Sequence, residues 1–205
     1  MFAICLSIVG FLSQNAALAA AHSGKERILF LGDSLTEGVQ IPREAAYPAL
    51  IQKQLAREGH AGIEVINAGI SGSTSSSGLA RMKWHLRQKP DILVLALGAN
   101  DGLRGLSLTE TRTHLIQTIE LAKKNGIKVL LAGMKIPLNY GEKYRQEFES
   151  LFFEVAKKEK VPLIPFLLEG VAGDPKLNLS DALHPNEKGH EIVAKTVLKY
   201  LEPML

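Results

Sequence analysis

The sequence predicts an α/β fold: a five-stranded parallel sheet with helices on both faces. Two observations predict it. Strand-like and helix-like apolar patterns alternate along the chain, and the strand-like runs are mostly continuous rather than alternating in polarity. Continuous apolar runs belong to strands buried on both faces, as in a parallel sheet.

The opening strand is Arg27-Ile28-Leu29-Phe30-Leu31, with Gly32 expected to let the backbone turn before Asp33-Ser34. Residues 45–57 place Tyr47, Leu50, Ile51 and Leu55 at helical spacing, and 64–67 read as a second strand. A helix over 78–87 carries Leu79, Met82 and Leu86 on one face, and 92–97 is a third, wholly apolar strand. A helix over 109–124 stops at Asn125-Gly126, a C-terminal signal. Residues 129–132 form a fourth strand, 144–158 a helix, 161–166 a fifth strand, and 186–200 the closing helix after Pro185.

With 205 residues and 46% hydrophobic content the chain can bury one sizeable core, expected as a single domain over 25–205. The net charge of +3, with no dense basic cluster, argues against a nucleic-acid partner. Residues 1–21 carry no charged side chain: an apolar run over 2–12 is followed by small residues up to Ala21. This pattern is that of a secretory leader cut near Ala19 or Ala21, too short for a comfortable membrane span and lacking a basic start. The expected location is therefore periplasmic or secreted. Cys5, the one cysteine, lies in that leader, so the mature chain is expected to have no disulfide.

Ligands of open α/β sheets collect beyond the carboxyl ends of strands, and several chemistry-bearing residues fall there. Ser34 follows the first strand. Gly72 lies in the Gly- and Ser-rich loop after the second, and Asn100 follows the third. Asp181 and His184 precede the final helix. A serine hydroxyl needs a base to become a nucleophile, and a tetrahedral intermediate needs donors for its oxyanion. Ser34 suits the nucleophile and His184 the base, with Asp181 orienting the ring. The N–H groups of Ser34 and Gly72 and the Asn100 amide suit the oxyanion hole. The remaining histidines, His190 among them, read as solvated. Asp33 and Asp101 are expected to hold their loops by hydrogen bonds, with no metal and no cofactor.

Two rival readings use the same strand ends. Asp33, Asp101 and Lys135 could form a phosphoacceptor pocket, and the loop over 72–78 could bind an anion without catalysis. Neither employs Asp181 or His184.

Gly32-Asp33-Ser34-Leu35, Gly72, Gly98-Ala99-Asn100-Asp101 and Asp181-x-x-His184 resemble, in order, the motif blocks of the SGNH (GDSL) hydrolase family. Gly102-Leu103-Arg104-Gly105 and Asn139-Tyr140-Gly141 resemble its bacterial thioesterase I, lysophospholipase and arylesterase branch. The resemblance spans roughly residues 27–201. It implies a flavodoxin-like three-layer α/β/α sandwich, no metal or organic cofactor, and hydrolysis of small-molecule acyl esters and thioesters; nothing in the sequence demands a protein partner, so a monomer is expected. A carbohydrate O-deacetylase on the same scaffold is the alternative. The acyl groove is expected to be lined by Ile70, Leu79, Leu103, Ile136, Pro137 and Leu138, with Gly141 as a hinge.

Overall fold

The computed structural model describes residues 25–205; the expected leader over 1–21, with Cys5, lies outside the described residues. Five parallel strands, β1 (Glu26–Gly32), β2 (Ile63–Gly69), β3 (Ile92–Ala96), β4 (Lys128–Ala132) and β5 (Leu163–Ile164), make one sheet in the order β2-β1-β3-β4-β5. Strand direction from β1 is first to one side, to β2, and then to the other, through β3. The crevice at such a switch point, beyond the carboxyl ends, is where open α/β sheets bind ligands.

The long helices are α2 (Tyr47–Arg57), α3 (Gly78–His85), α5 (Leu108–Lys124), α6 (Glu142–Glu159) and α7 (Glu187–Leu201); α1 (Ser34–Glu37) and α4 (Ala99–Leu103) are single turns at the rim. α2 packs with α7, while α3, α5 and α6 pack in sequence. Helices pair this way when each face of a parallel sheet is covered by its own layer, giving the three-layer architecture. The core is continuous: Ile28 to Leu31 and Ile92 to Leu95 are fully buried. Its helical side is supplied by Tyr47, Ile51 and Leu55 of α2, Phe148 and Phe152 of α6, and Val197 and Leu201 of α7. Removing this much apolar surface from water is the main stabilising contribution.

Three expectations are corrected. β5 is two residues long instead of six, because Pro162 and Pro165 flank it and neither can donate to a ladder. Gly32 lies inside β1 with no left-handed φ. What requires glycine there is space: a Cβ would collide with the Thr36 side chain of α1. His190 is buried to 2% exposure rather than solvated, its Nδ1 accepting the Tyr47 N–H at 3.1 Å. Burial lowers its pKa to about 4, and the nearby His184 adds to the effect.

Candidate active site

The nucleophile's segment is built locally. Asp33 caps α1 by accepting the Leu35 N–H at 3.0 Å, and Gly38 ends the turn in the left-handed conformation. That single turn aims Ser34 at the rim. The turn is pinned from below by a 2.8 Å hydrogen bond between the Thr36 and Tyr47 hydroxyls, and from the side by Asn67 Nδ2, which donates to Thr36 O at 2.9 Å.

The base arrives from the other end of the chain. Leu179 N–H donates to His184 O at 2.7 Å, and Asn186 N–H to Leu177 O at 2.9 Å, closing a tight loop before α7. Within it, Asp181 Oδ1 accepts the N–H groups of Leu183 at 2.9 Å and His184 at 3.0 Å. Asp181 Oδ2 meets His184 Nδ1 at 2.6 Å, and His184 Nε2 meets Ser34 Oγ at 2.8 Å. The structure thus brings Ser34, His184 and Asp181 into one hydrogen-bonded line. Burial, the largest single influence, raises the Asp181 pKa, but the hydrogen bonds from His184 and Leu183 and the His184 charge together outweigh it and hold the carboxyl at about 2. Asp181 is therefore an anion facing Nδ1, which favours the tautomer with a proton there and a free lone pair at Nε2.

Three donors are the candidates for the expected oxyanion hole. Among the described residues no protein acceptor takes the N–H of Ser34 or of Gly72. Gly72 sits at φ +74°, a conformation that side chains disfavour. Its loop is held on both sides: Ser71 N–H donates to Glu37 Oε2 at 2.7 Å, and Arg104 Nη2 to Gly72 O at 3.0 Å. Asn100 Nδ2 donates to Ser73 O at 3.0 Å and, at a long 3.4 Å, to Asp33 Oδ2. The long contact leaves one Nδ2 hydrogen open to a stronger acceptor.

The two carboxylates beside the site differ. Asp33 is 1% exposed and burial raises its pKa to about 6, partly offset by the Leu35 N–H and by the charges of His184 and Arg81. Asp101 accepts the Ser75 N–H at 2.8 Å, the Ser75 hydroxyl at 2.5 Å and the Thr111 hydroxyl at 3.1 Å. These bonds occupy Asp101, and Lys135 pairs with Glu149 at 3.0 Å, so the phosphoacceptor pocket is not assembled. The same Ser75–Asp101 bond consumes an N–H that the anion-cradle reading needs. Among the described residues no three potential metal ligands cluster.

The expected groove residues are scattered in burial. Ile70 and Leu138 are exposed (54% and 76%), and Leu79 and Leu103 are half-buried. Pro137 is exposed and starts a 3-10 turn. Ile136 is 6% exposed and belongs to the core, close to where Phe148 covers Gly102. A cavity of about 680 Å³ lies elsewhere, between α1 and the β2 edge, bordered by Glu37, Ile41, Lys53, Val65 and Gly69.

The structure also adds residues that no sequence signal marked: Glu37, Asn67 and Arg81, each bonded to backbone at a strand end or rim loop. They sit on ordinary helix and strand positions whose only distinction is the partner across space.

Comparison with known proteins agrees with this geometry. Residues 30–192 match the model of the GDSL-like lipase/acylhydrolase family. The chain is 38% identical to an arylesterase of Vibrio mimicus over 96% of its length and 98% of the relative's. It is 36% identical to thioesterase 1/protease 1/lysophospholipase L1 of Escherichia coli, covering 88% and 85% of the two chains. The crystal structure of TesA superposes with a TM-score of 0.85 at 38% identity, covering 88% of this chain and all of that one. The chain belongs to the GDSL-like lipase/acylhydrolase family.

Proposed function

We propose that the protein is a serine hydrolase of acyl esters and thioesters, with Ser34 as nucleophile, His184 as base and Asp181 as its orienting anion. The observation that carries this reading is the line Ser34 Oγ, His184 Nε2, His184 Nδ1, Asp181 Oδ2, with contacts of 2.8 and 2.6 Å. Ser34 Oγ attacks the carbonyl carbon while its proton passes to His184 Nε2. The resulting oxyanion is met by the N–H groups of Ser34 and Gly72 and by the Asn100 amide, released from its long contact with Asp33. His184 then gives the proton to the departing alcohol or thiol, leaving an acyl-serine. Water, deprotonated by the same nitrogen, releases the acid and restores the serine. Asp181 stays ionised throughout and stabilises the imidazolium.

The relatives' names, arylesterase and thioesterase/lysophospholipase, support acyl esters and thioesters as the substrate class. Apolar Ile70 and Leu138, exposed at the rim, are the residues offered for the acyl chain, with Leu79, Leu103 and Pro137 around them. Among the described residues no helix is long and apolar enough to cross a membrane. The leader pattern of residues 1–21 supports an exported enzyme working in the periplasm or beyond, and the proposed mechanism needs a single chain. Hydrolysis of nitrophenyl esters from two to sixteen carbons, beside acyl-CoA, lysophospholipid and acetylated sugar, tests the reading. Turnover of esters and thioesters is expected. Turnover of acetylated sugar alone would make the protein a deacetylase.

A further inference from the structure

Arg81, on the first turn of α3, does work that neither the triad nor the oxyanion donors explain. Its Nη2 donates to two carbonyl oxygens at once: Gly32 O at 2.9 Å, and Ala68 O. These oxygens lie at the carboxyl ends of β1 and β2, which are paired with Leu31 opposite Ala68 and Gly32 opposite Gly69. Gly32 leads through Asp33 into Ser34. Ala68 leads through Gly69 into the loop that carries Gly72. One nitrogen therefore joins the two backbone segments that deliver the Ser34 and Gly72 N–H groups.

The cost of this arrangement is visible. Arg81 Nε is buried with no acceptor, and an unmatched buried donor is destabilising. Burial also depresses the guanidinium pKa, opposed only by the Asp33 charge. A side chain kept under such conditions calls for an explanation beyond packing.

We propose that Arg81 is a positioning residue for the oxyanion hole: by holding Gly32 O and Ala68 O on a single nitrogen it fixes the spacing at which the Ser34 and Gly72 N–H groups converge. The proposal rests on the reading that those two groups bind the oxyanion. The last ladder bond between these segments is Ile70 N–H to Gly32 O, at 3.2 Å; past that point the chains diverge into α1 and the Ser-rich loop. The planar guanidinium stiffens the last hydrogen-bonding position before they separate. An ammonium carries the same charge on a compact, freely rotating nitrogen in place of a planar NH2 group, so lysine replaces it imperfectly.

The test uses Arg81→Met and Arg81→Lys in the whole protein, with nitrophenyl butyrate as substrate and butylboronic acid as a tetrahedral mimic. A small displacement of positioned groups costs up to about 100-fold in rate, so kcat in Arg81→Met should fall roughly 10- to 100-fold while KM stays within about threefold. Arg81→Lys should fall between. The boronate inhibition constant should rise by the same factor as kcat/KM falls, since both report the oxyanion geometry. A variant that merely folds less completely would lose kcat in proportion to its folded fraction and keep the parental boronate constant. That result, or a kcat within twofold of the parent, overturns the proposal. Should Arg81→Met not fold, Arg81→Lys decides by the same two readouts. Ser34→Ala run alongside separates the two failures. Retained activity there removes the catalytic reading itself, whereas a dead Ser34→Ala beside an unmoved boronate constant removes the Arg81 proposal alone.

Discussion

At the scale of single residues, the proposed mechanism makes unequal demands on its members. Ser34→Ala and His184→Ala each break the proton path, and either should lower kcat by roughly 10⁴-fold or more with an unchanged melting temperature, because such groups act as a unit. Asp181→Asn keeps an acceptor for the two backbone N–H groups but loses the anion at Nδ1, so its loss should be smaller though still severe. Asn100→Ala should cost about 10²–10³ in kcat with little change in KM; a loss confined to KM would make Asn100 a substrate-holding residue instead. Two buried titratable groups make a separate prediction about stability. Asp33 has a folded pKa near 6 against an ordinary 3.8, so its contribution is full below pH 4 and is lost as pH rises through 6. His190 has a folded pKa near 4 against 6.5, so its contribution is full above pH 6.5 and is lost as pH falls through 4. Each shift is worth roughly 3 kcal/mol at 1.36 kcal/mol per unit, and the two oppose each other across the same window. Urea unfolding between pH 4.5 and 7 should therefore show slopes of opposite sign in the two single variants. Asp33→Asn should gain stability as pH rises, and His190→Gln should lose it. Parental slopes in both would mean that neither group is desolvated.

At the scale of elements, the strands and long helices were legible because their apolar patterns repeat over many residues. Residues 92–97 could hardly be anything but a buried strand, and β3 covers Ile92–Ala96. What escaped was short or depended on distant partners. α1 is four residues long and has no periodicity to read; its signal is the Asp33 cap and Gly38. The motif residues Ser34, Gly72, Asn100, Asp181 and His184 were legible from their order at strand ends. Their supports were not, since Glu37 and Arg81 act through backbone atoms that sequence does not display. The loop after β4 shows the same limit. Ile136 and Leu138 look alike in sequence, yet one faces the core beside Phe148 and the other faces water. Ile136→Ala should thus destabilise the fold by about 2–5 kcal/mol, readable by urea unfolding, and leave the ester-length profile as it was. Leu138→Ala should change stability by less than about 0.5 kcal/mol, as exposed substitutions do. If Leu138 touches the acyl chain, its loss lowers long-ester rates relative to short ones.

At the scale of the whole molecule, the strand order converts remote sequence positions into neighbours. The switch point lies between β1 and β3, and the segments following these strands carry Ser34 and Asn100. The last loop before α7 then drops His184 onto the same rim. Nothing in that assembly needs a cation to close it, so activity should survive prolonged dialysis against EDTA. Reversible loss restored by one divalent ion would overturn the metal-free mechanism. The spacing of the reacting pair has a consequence for synthesis. Ser34 and His184 are 150 positions apart, with four of the five strands between them. On the proposed mechanism, a nascent or truncated chain that stops short of Asp181 and His184 holds a nucleophile without a base and is chemically mute. Turnover of a chromogenic ester can therefore serve as a reporter of completed folding: in refolding experiments it should appear only after the α2–α7 layer has docked, later than the fluorescence change of Trp84 on α3.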